Sequence, residues 1–149
     1  MSDEQESFPL LFLIDAADSD AYANPDIWPA SGANKPSNPE KFILAMAYGF
    51  RMHVPKQIEK SDNSFARGEY FKDDDRALIY SVAAASEGNL DVVLDGKKVA
   101  HIAETYAHGG ITLLAQRLSE VPQGTLWDDL ENEILAPSPG TTKQEATTV

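Results

Sequence analysis

The run Asn38-Pro39-Glu40-Lys41-Phe42-Ile43-Leu44-Ala45-Met46-Ala47-Tyr48-Gly49-Phe50-Arg51 decides the fold class. Asn38 is a good capping residue and Pro39 follows it where a missing amide costs nothing, so the pair predicts the start of a helix. Phe42, Ile43, Met46 and Phe50 then share one face, with Ala45, Ala47 and Gly49 as small neighbours. Leu44 and Tyr48 fall on the opposite side with Lys41 and Arg51. A helix that is apolar on nearly all sides belongs in the centre of a core. The rest of the chain is therefore read as what covers it.

Downstream, a second helix is expected from Asp73, with Asp74 and Asp75 in the first turn where the helix dipole favours negative charge. Leu78, Ile79, Val82, Ala85 and Ser86 line one side of it and Gly88 supplies the stop. Beyond the apolar patch Val92-Val93-Leu94, a third helix runs from Gly96 to Ala107 with Val99, Ile102, Ala103 and Tyr106 as its stripe. Gly109-Gly110 is expected to break it, and Ile111, Leu114, Ala115 and Leu118 to continue as a fourth short helix ending before Pro122. A last segment places Leu126, Trp127, Leu130 and Ile134 on one face, with Thr125 and Asp128 spaced as a capping box.

Upstream, Leu10 to Ile14 reads as a short buried strand or a turn of apolar helix. Residues 15–38 carry Asn24-Pro25, Trp28-Pro29, Lys35-Pro36 and Asn38-Pro39, and each residue before a proline is pushed out of helical geometry. The expectation is a mainly α fold: a small single-domain helical bundle with a long irregular N-terminal segment and room for one short strand. The domain would span residues 8–135, with a flexible acidic N-terminus over 1–7 and a disordered tail of Pro, Ser, Gly and Thr over 136–149.

A chain of 149 residues is long enough to bury one core. It has no cysteine, which excludes disulfides, a thiolate nucleophile and thiolate metal sites. The apolar stretch near the start is far short of the roughly 20 residues that span a bilayer, and it follows Asp3, Glu4 and Glu6 where a secretory signal would carry positive charge. These features fit a cytoplasmic protein with no membrane partner. The formal net charge of −12 argues against a surface that coats DNA, because phosphate binding needs Lys and Arg. The charge is uneven, however. Residues 1–40 hold eight acids against one lysine, whereas residues 41–72 hold six cations against three acids.

That basic segment supplies the candidate contacts. Arg51, Lys56, Lys60 and Arg67, with Tyr48 and Tyr70 beside them, combine cations and aromatics in the mixture that meets phosphates, bases or an acidic protein. The bland alternative is a solvated loop. The acidic amphipathic face Leu126, Trp127, Leu130 and Ile134 closes this chain's own core or inserts into a partner's groove. Leu11-Phe12-Leu13-Ile14-Asp15 followed by Asp18 and Asp20 resembles a strand ending in carboxylates that could hold magnesium, but no Gly-rich phosphate loop accompanies it. A polar loop after a strand is the plainer reading. His101, Glu104 and His108 align on one side of the third helix, yet two histidines seven residues apart are about 10.5 Å along the axis. That is too far for one metal ion, and all three read as solvated surface. No metal, cofactor or catalytic triad is assigned.

Three segments in order resemble a known family. Ala45-Met46-Ala47-Tyr48-Gly49-Phe50-Arg51 is similar to the Ala-rich helix ending in Gly-Phe-Lys/Arg of the proteins called DNA phosphorothioation (dnd) system-associated protein 4. Ala77-Leu78-Ile79 and Ala83-Ala84-Ala85-Ser86-Glu87-Gly88-Asn89 resemble its next helix. Ile102-Ala103-Glu104-Thr105-Tyr106-Ala107-His108-Gly109-Gly110-Ile111 looks like its Ala-Glu-Glu-Tyr-Ala-Asn-Gly-Gly element, with His108 in place of the Asn. The resemblance covers residues 39–119. It implies a non-enzymatic accessory protein of a prokaryotic DNA-modification-linked restriction or anti-phage defence system, in contact with a larger protein subunit and with DNA as a further candidate ligand through residues 51–72. The alternatives are an acidic adaptor or inhibitor that competes with DNA for a basic partner, and a magnesium-dependent phosphotransferase or nuclease using Asp15, Asp18 and Asp20.

Overall fold

The computed structural model describes residues 8–28 and 35–121, together with residues 126, 128 and 132. The central helix forms as its sequence requires. It is α2, Asn38–Arg51, and its cap is Ser37, one residue earlier than expected: the Ser37 hydroxyl accepts from the Glu40 amide while the Glu40 carboxylate accepts from the Ser37 amide. Phe42, Ile43, Ala45, Met46, Tyr48 and Gly49 are buried along it. The second expected helix is α3, Asp73–Glu87, ended by Gly88 in the left-handed conformation (φ 78°). Its exposed face is wider than expected, since Leu78, Ala85 and Ser86 lie at the surface.

The largest correction concerns Gly109-Gly110. No break occurs there. One continuous helix, α4, runs from Gly96 to Glu120, so the expected third and fourth helices are a single rod of 25 residues. Gly110 serves its packing on α2, the most extensive contact between elements, and Gly109 the packing of the segment that follows α2. A Cβ on Gly110 would lie 1.8 Å from the Ala45 carbonyl oxygen, and one on Gly49 2.0 Å from that of Tyr106. A Cβ on Gly109 would lie 1.5 Å from the Val54 carbonyl oxygen. The helices meet backbone to backbone, and only residues without side chains fit between them.

The N-terminal stretch does form a strand, and it has a partner that the sequence reading did not supply. Strand β1, Leu11–Asp15, pairs antiparallel with β2, Ser61–Arg67, from inside the basic segment. The register aligns Leu11 with Arg67, Phe12 with Ala66, Ile14 with Asp62 and Asp15 with Ser61. Between Phe12 and Ile14, β2 advances four residues against two, so it bulges opposite Leu13. Side chains engage the outer edges of both strands: Leu13 N–H donates to Glu104 Oε2 at 2.8 Å, and Asn38 Nδ2 donates to the Phe65 carbonyl at 3.1 Å. The irregular segment after β1 folds as a 3-10 turn, Ala16–Asp18, and a short helix α1, Ser19–Ala23, followed by turns that bury Ile27 and Trp28.

The sheet, α2, α3 and α4 enclose one core. Phe12 sits at its centre with ring centroids 5.1 Å from both Phe42 and Phe71, while Phe8 bridges Phe12, Phe71 and Tyr80. The fold is mainly α, with this two-stranded sheet in place of the one expected strand. No helix among the described residues is long and apolar enough to cross a membrane. The expected acidic terminus 1–7 and tail 136–149 lie outside the described residues.

Candidate functional site

Spacing of four residues puts Glu104, His108 and Thr112 in one line on α4, one turn apart. This line lies against β1 and the turn that follows it. Glu104 takes the Leu13 amide; one turn on, His108 meets the two aspartates that flank the end of the strand; Thr112 Oγ1 donates back to the His108 carbonyl. The expectation of three solvated residues holds for His101 alone. Glu104 is half-buried and His108 is 5% exposed.

His108 Nδ1 lies 2.6 Å from Asp18 Oδ2, a short hydrogen bond. Its Nε2 lies 3.5 Å from Asp15 Oδ2. Asp15 and Asp18 are 5% and 6% exposed, so the imidazole is sandwiched between two buried carboxyl groups. Asp15 does more than face the ring. Its Oδ1 accepts from Ala17 N–H at 2.9 Å, and its Oδ2 accepts from Glu59 N–H at 2.8 Å and from Lys60 N–H at 3.4 Å. The amides of Ala17 and Glu59 hold the Asp15 carboxyl below its ordinary range. For Asp18 burial dominates and raises the carboxyl above its usual value, with the His108 ring opposing that shift. Burial likewise pushes the Glu104 carboxyl up to about 7, against the effect of the Leu13 amide.

The network therefore ties three parts of the chain together: the end of β1, helix α4, and the approach to β2. This last piece is the basic segment. Two further clamps hold it. Lys56 N–H donates to the Thr105 carbonyl on α4 at 2.9 Å, and Val54 lies directly on Gly109. His53 turns the chain out of α2 with φ 57°, a left-handed conformation that costs a non-glycine residue about 1–2 kcal/mol. Ordinary solvated loops are not held from beneath in this way.

The six residues expected to make contacts do not form one patch. Arg51 closes α2, and Lys56 and Lys60 are exposed beside the network. Arg67 and Tyr70 are exposed at the other end of the sheet, where Arg67 pairs with Glu69 at 3.4 Å. The partners of Ser61 and Arg67 on β1, Asp15 and Leu11, lie four residue steps apart, roughly 14 Å of strand. Tyr48 has to be removed from the surface set. It is 5% exposed, packed in the core, with its hydroxyl accepting from Arg117 Nη1 at 3.4 Å. Its position opposite the buried stripe of α2 predicts exposure, but α4 covers that side too. Leu126 is helical and buried, which makes it part of this chain's own core; Trp127, Leu130 and Ile134 lie outside the described residues.

Of the three acids considered for magnesium, Asp15 and Asp18 point inward and Asp20 is exposed. The oxygens of Asp15 accept from the Ala17 and Glu59 amides, and Asp18 Oδ2 lies 2.6 Å from His108 Nδ1. Among the described residues no three His, Asp or Glu side chains are placed to hold a metal ion. Beside the network, Tyr22 stacks parallel to Trp28, with centroids 6.3 Å apart, and its buried hydroxyl has no hydrogen-bond partner among the described residues. Burial, with the charge of Asp18 nearby, raises the Tyr22 phenol well above its ordinary value. The spacing of Glu104, His108 and Thr112 was a usable signal for the network, but its partners lie 90 residues away in the chain. No family model, curated protein or solved structure matches this chain.

Proposed function

We propose that this is a non-enzymatic binding protein that presents the start of its basic segment, Arg51 to Lys60, to a larger protein partner. The observation that carries this reading is the clamping of that segment by Asp15, which takes the Glu59 and Lys60 amides and is backed by His108 and, through it, Asp18. A buried charged network is seldom the cheapest way to stabilise a fold, since replacing one by packed apolar residues is often neutral or favourable. Its gain is a fixed surface: a loop already held in one conformation loses less entropy when it binds. Exposed Lys56 and Lys60 on such a surface, in a chain of net charge −12, suit an acidic patch on the partner.

The cellular setting comes from the resemblance of residues 39–119: an accessory role in a DNA-modification-linked restriction or anti-phage defence system. Direct contact with DNA is the secondary reading, since the cations of residues 51–72 are scattered rather than gathered into one row of phosphate donors. An acidic adaptor or inhibitor competing with DNA remains the alternative that the overall charge favours. Catalysis by Asp15, Asp18 and Asp20 draws no support from carboxyl groups that are enclosed and engaged by N–H donors.

The test is affinity capture of the tagged full-length protein from its native host, with and without nuclease, set beside Lys56→Glu/Lys60→Glu. The expected result is capture of DNA-modification or restriction subunits that survives nuclease and is lost in the double variant. Capture that disappears with nuclease assigns DNA as the bridge. Capture unaffected by the two charge reversals overturns the proposed surface.

A further inference from the structure

Val54, Pro55 and Lys56 form one wall of a shallow groove of about 240 Å³, and Thr112, Leu113 and Gln116 of α4 form the other, with Gly109 between them. We infer that this groove takes one large apolar side chain from an acidic segment of a protein partner, a refinement that rests on the binding role proposed above. The volume is below the roughly 300–1,000 Å³ of small-molecule pockets, and suits a single anchor residue of the kind that dominates interface energetics. Its walls are largely carbon: the side chains of Val54, Pro55 and Leu113 and the bare backbone of Gly109.

Charge at the rim selects the company of that anchor. Lys56 is the charged residue in the lining, and it is exposed. The nearest acid beyond the groove on α4, Glu120, faces Gln116 Nε2 at 3.5 Å. An exposed ammonium group on the Val54–Lys56 wall, in an otherwise acidic protein, favours Asp or Glu beside the anchor on that side. DNA fits the same place less well, because phosphate recognition needs a row of donors and these walls offer carbon with one ammonium group. The groove is also held open before any partner arrives. The Lys56 amide is fixed to the Thr105 carbonyl, and a Cβ at Gly109 would collide with the Val54 carbonyl oxygen.

The experiment is selection from a displayed library of random 12-residue peptides on the immobilised full-length protein, with Gln116→Trp, which fills the groove from an exposed position, as counter-selection. Circular dichroism establishes that the variant folds. The expected outcome is a set of peptides retained by the parent and lost on Gln116→Trp that carry one Leu, Ile, Met, Phe or Trp flanked by Asp or Glu. Their affinity should drop about tenfold or more in Lys56→Glu. Peptides that bind both proteins equally, a groove-dependent set that is basic or has no apolar residue, or failure to enrich any groove-dependent set overturns the inference. So does a 20-base-pair duplex that binds with the same dependence on residue 116. Host capture that depends on Lys56 and Lys60 alongside a failed selection leaves the binding role standing without the groove; a successful selection without host capture does the reverse.

Discussion

Replacing Glu104 by glutamine separates the charge of this side chain from its hydrogen bond. Gln can still accept from the Leu13 amide, but it has no proton to lose. In the parent protein the carboxyl is raised from 4.5 to about 7, chiefly by burial between α4 and the sheet. The folded chain therefore keeps a proton that the unfolded chain gives up between pH 4.5 and about 7. The group's contribution is fully present below pH 4.5 and is lost as pH rises through 7. Full conversion of that shift gives about 3 kcal/mol of destabilisation at pH 8. Glu104 is only half-buried, so solvent screening reduces this to roughly 1–2 kcal/mol. Thermal melts of Glu104→Gln and the parent should coincide at pH 4.5. They should separate to about 2–8 °C at pH 8, with the variant the more stable. A variant that is less stable by the same amount at both pH values would show that the Glu104 carboxyl is not raised on folding and that its hydrogen bond, rather than its charge, sets its contribution.

Other perturbations probe the packing and the network. Gly109→Ala gains up to about 1 kcal/mol of helix propensity but puts a methyl group into the Val54 carbonyl, and should lose about 2–3 kcal/mol net by urea titration; a neutral result would show that the segment lifts off α4 freely. His108→Ala leaves two buried carboxyl groups facing each other and should cost about 3–5 kcal/mol at pH 7, less as pH falls and Asp18, whose carboxyl burial raises, takes up a proton while Asp15 stays ionised. In Tyr22→Phe the lost hydroxyl is buried without a partner among the described residues, so stability should stay the same or rise by up to about 1 kcal/mol. His53→Gly relieves a left-handed backbone conformation and should stabilise by roughly 1 kcal/mol in the same assay, while loosening the segment it introduces.

What could be read from the sequence followed local physics. The apolar circumference of Phe42 to Phe50, the aspartates that open α3 and the glycine that closes it are features of single helices, and they lie where expected. The strand at Leu11–Asp15 was visible as an apolar run, but its partner was not. Ser61–Arg67 has no alternating apolar pattern, because a bulge interrupts it and its outer edge meets a side chain of α2. Gly109-Gly110 misled for a related reason. Two adjacent glycines usually end a helix, and only the approach of Ala45 and Val54 across the fold makes them an interior packing surface. His108 and Asp18 could not be paired in advance, since residues 90 apart carry no mutual signature in one sequence.

The contact of α2 with α4 through Gly49 and Gly110 works as a length gauge. Each residue added to an α-helix turns everything beyond it by about 100° and moves it about 1.5 Å. A one-residue insertion in α4 between Val99 and Tyr106 would leave the upstream half packed while swinging Gly110 away from Ala45 and presenting a side chain in its place. The same insertion would carry His108 off its aspartates. Length changes in this chain are thus confined to the turns between elements, and a distant relative would keep the interval from Glu104 through His108 to Gly110 long after the side chains around it had diverged.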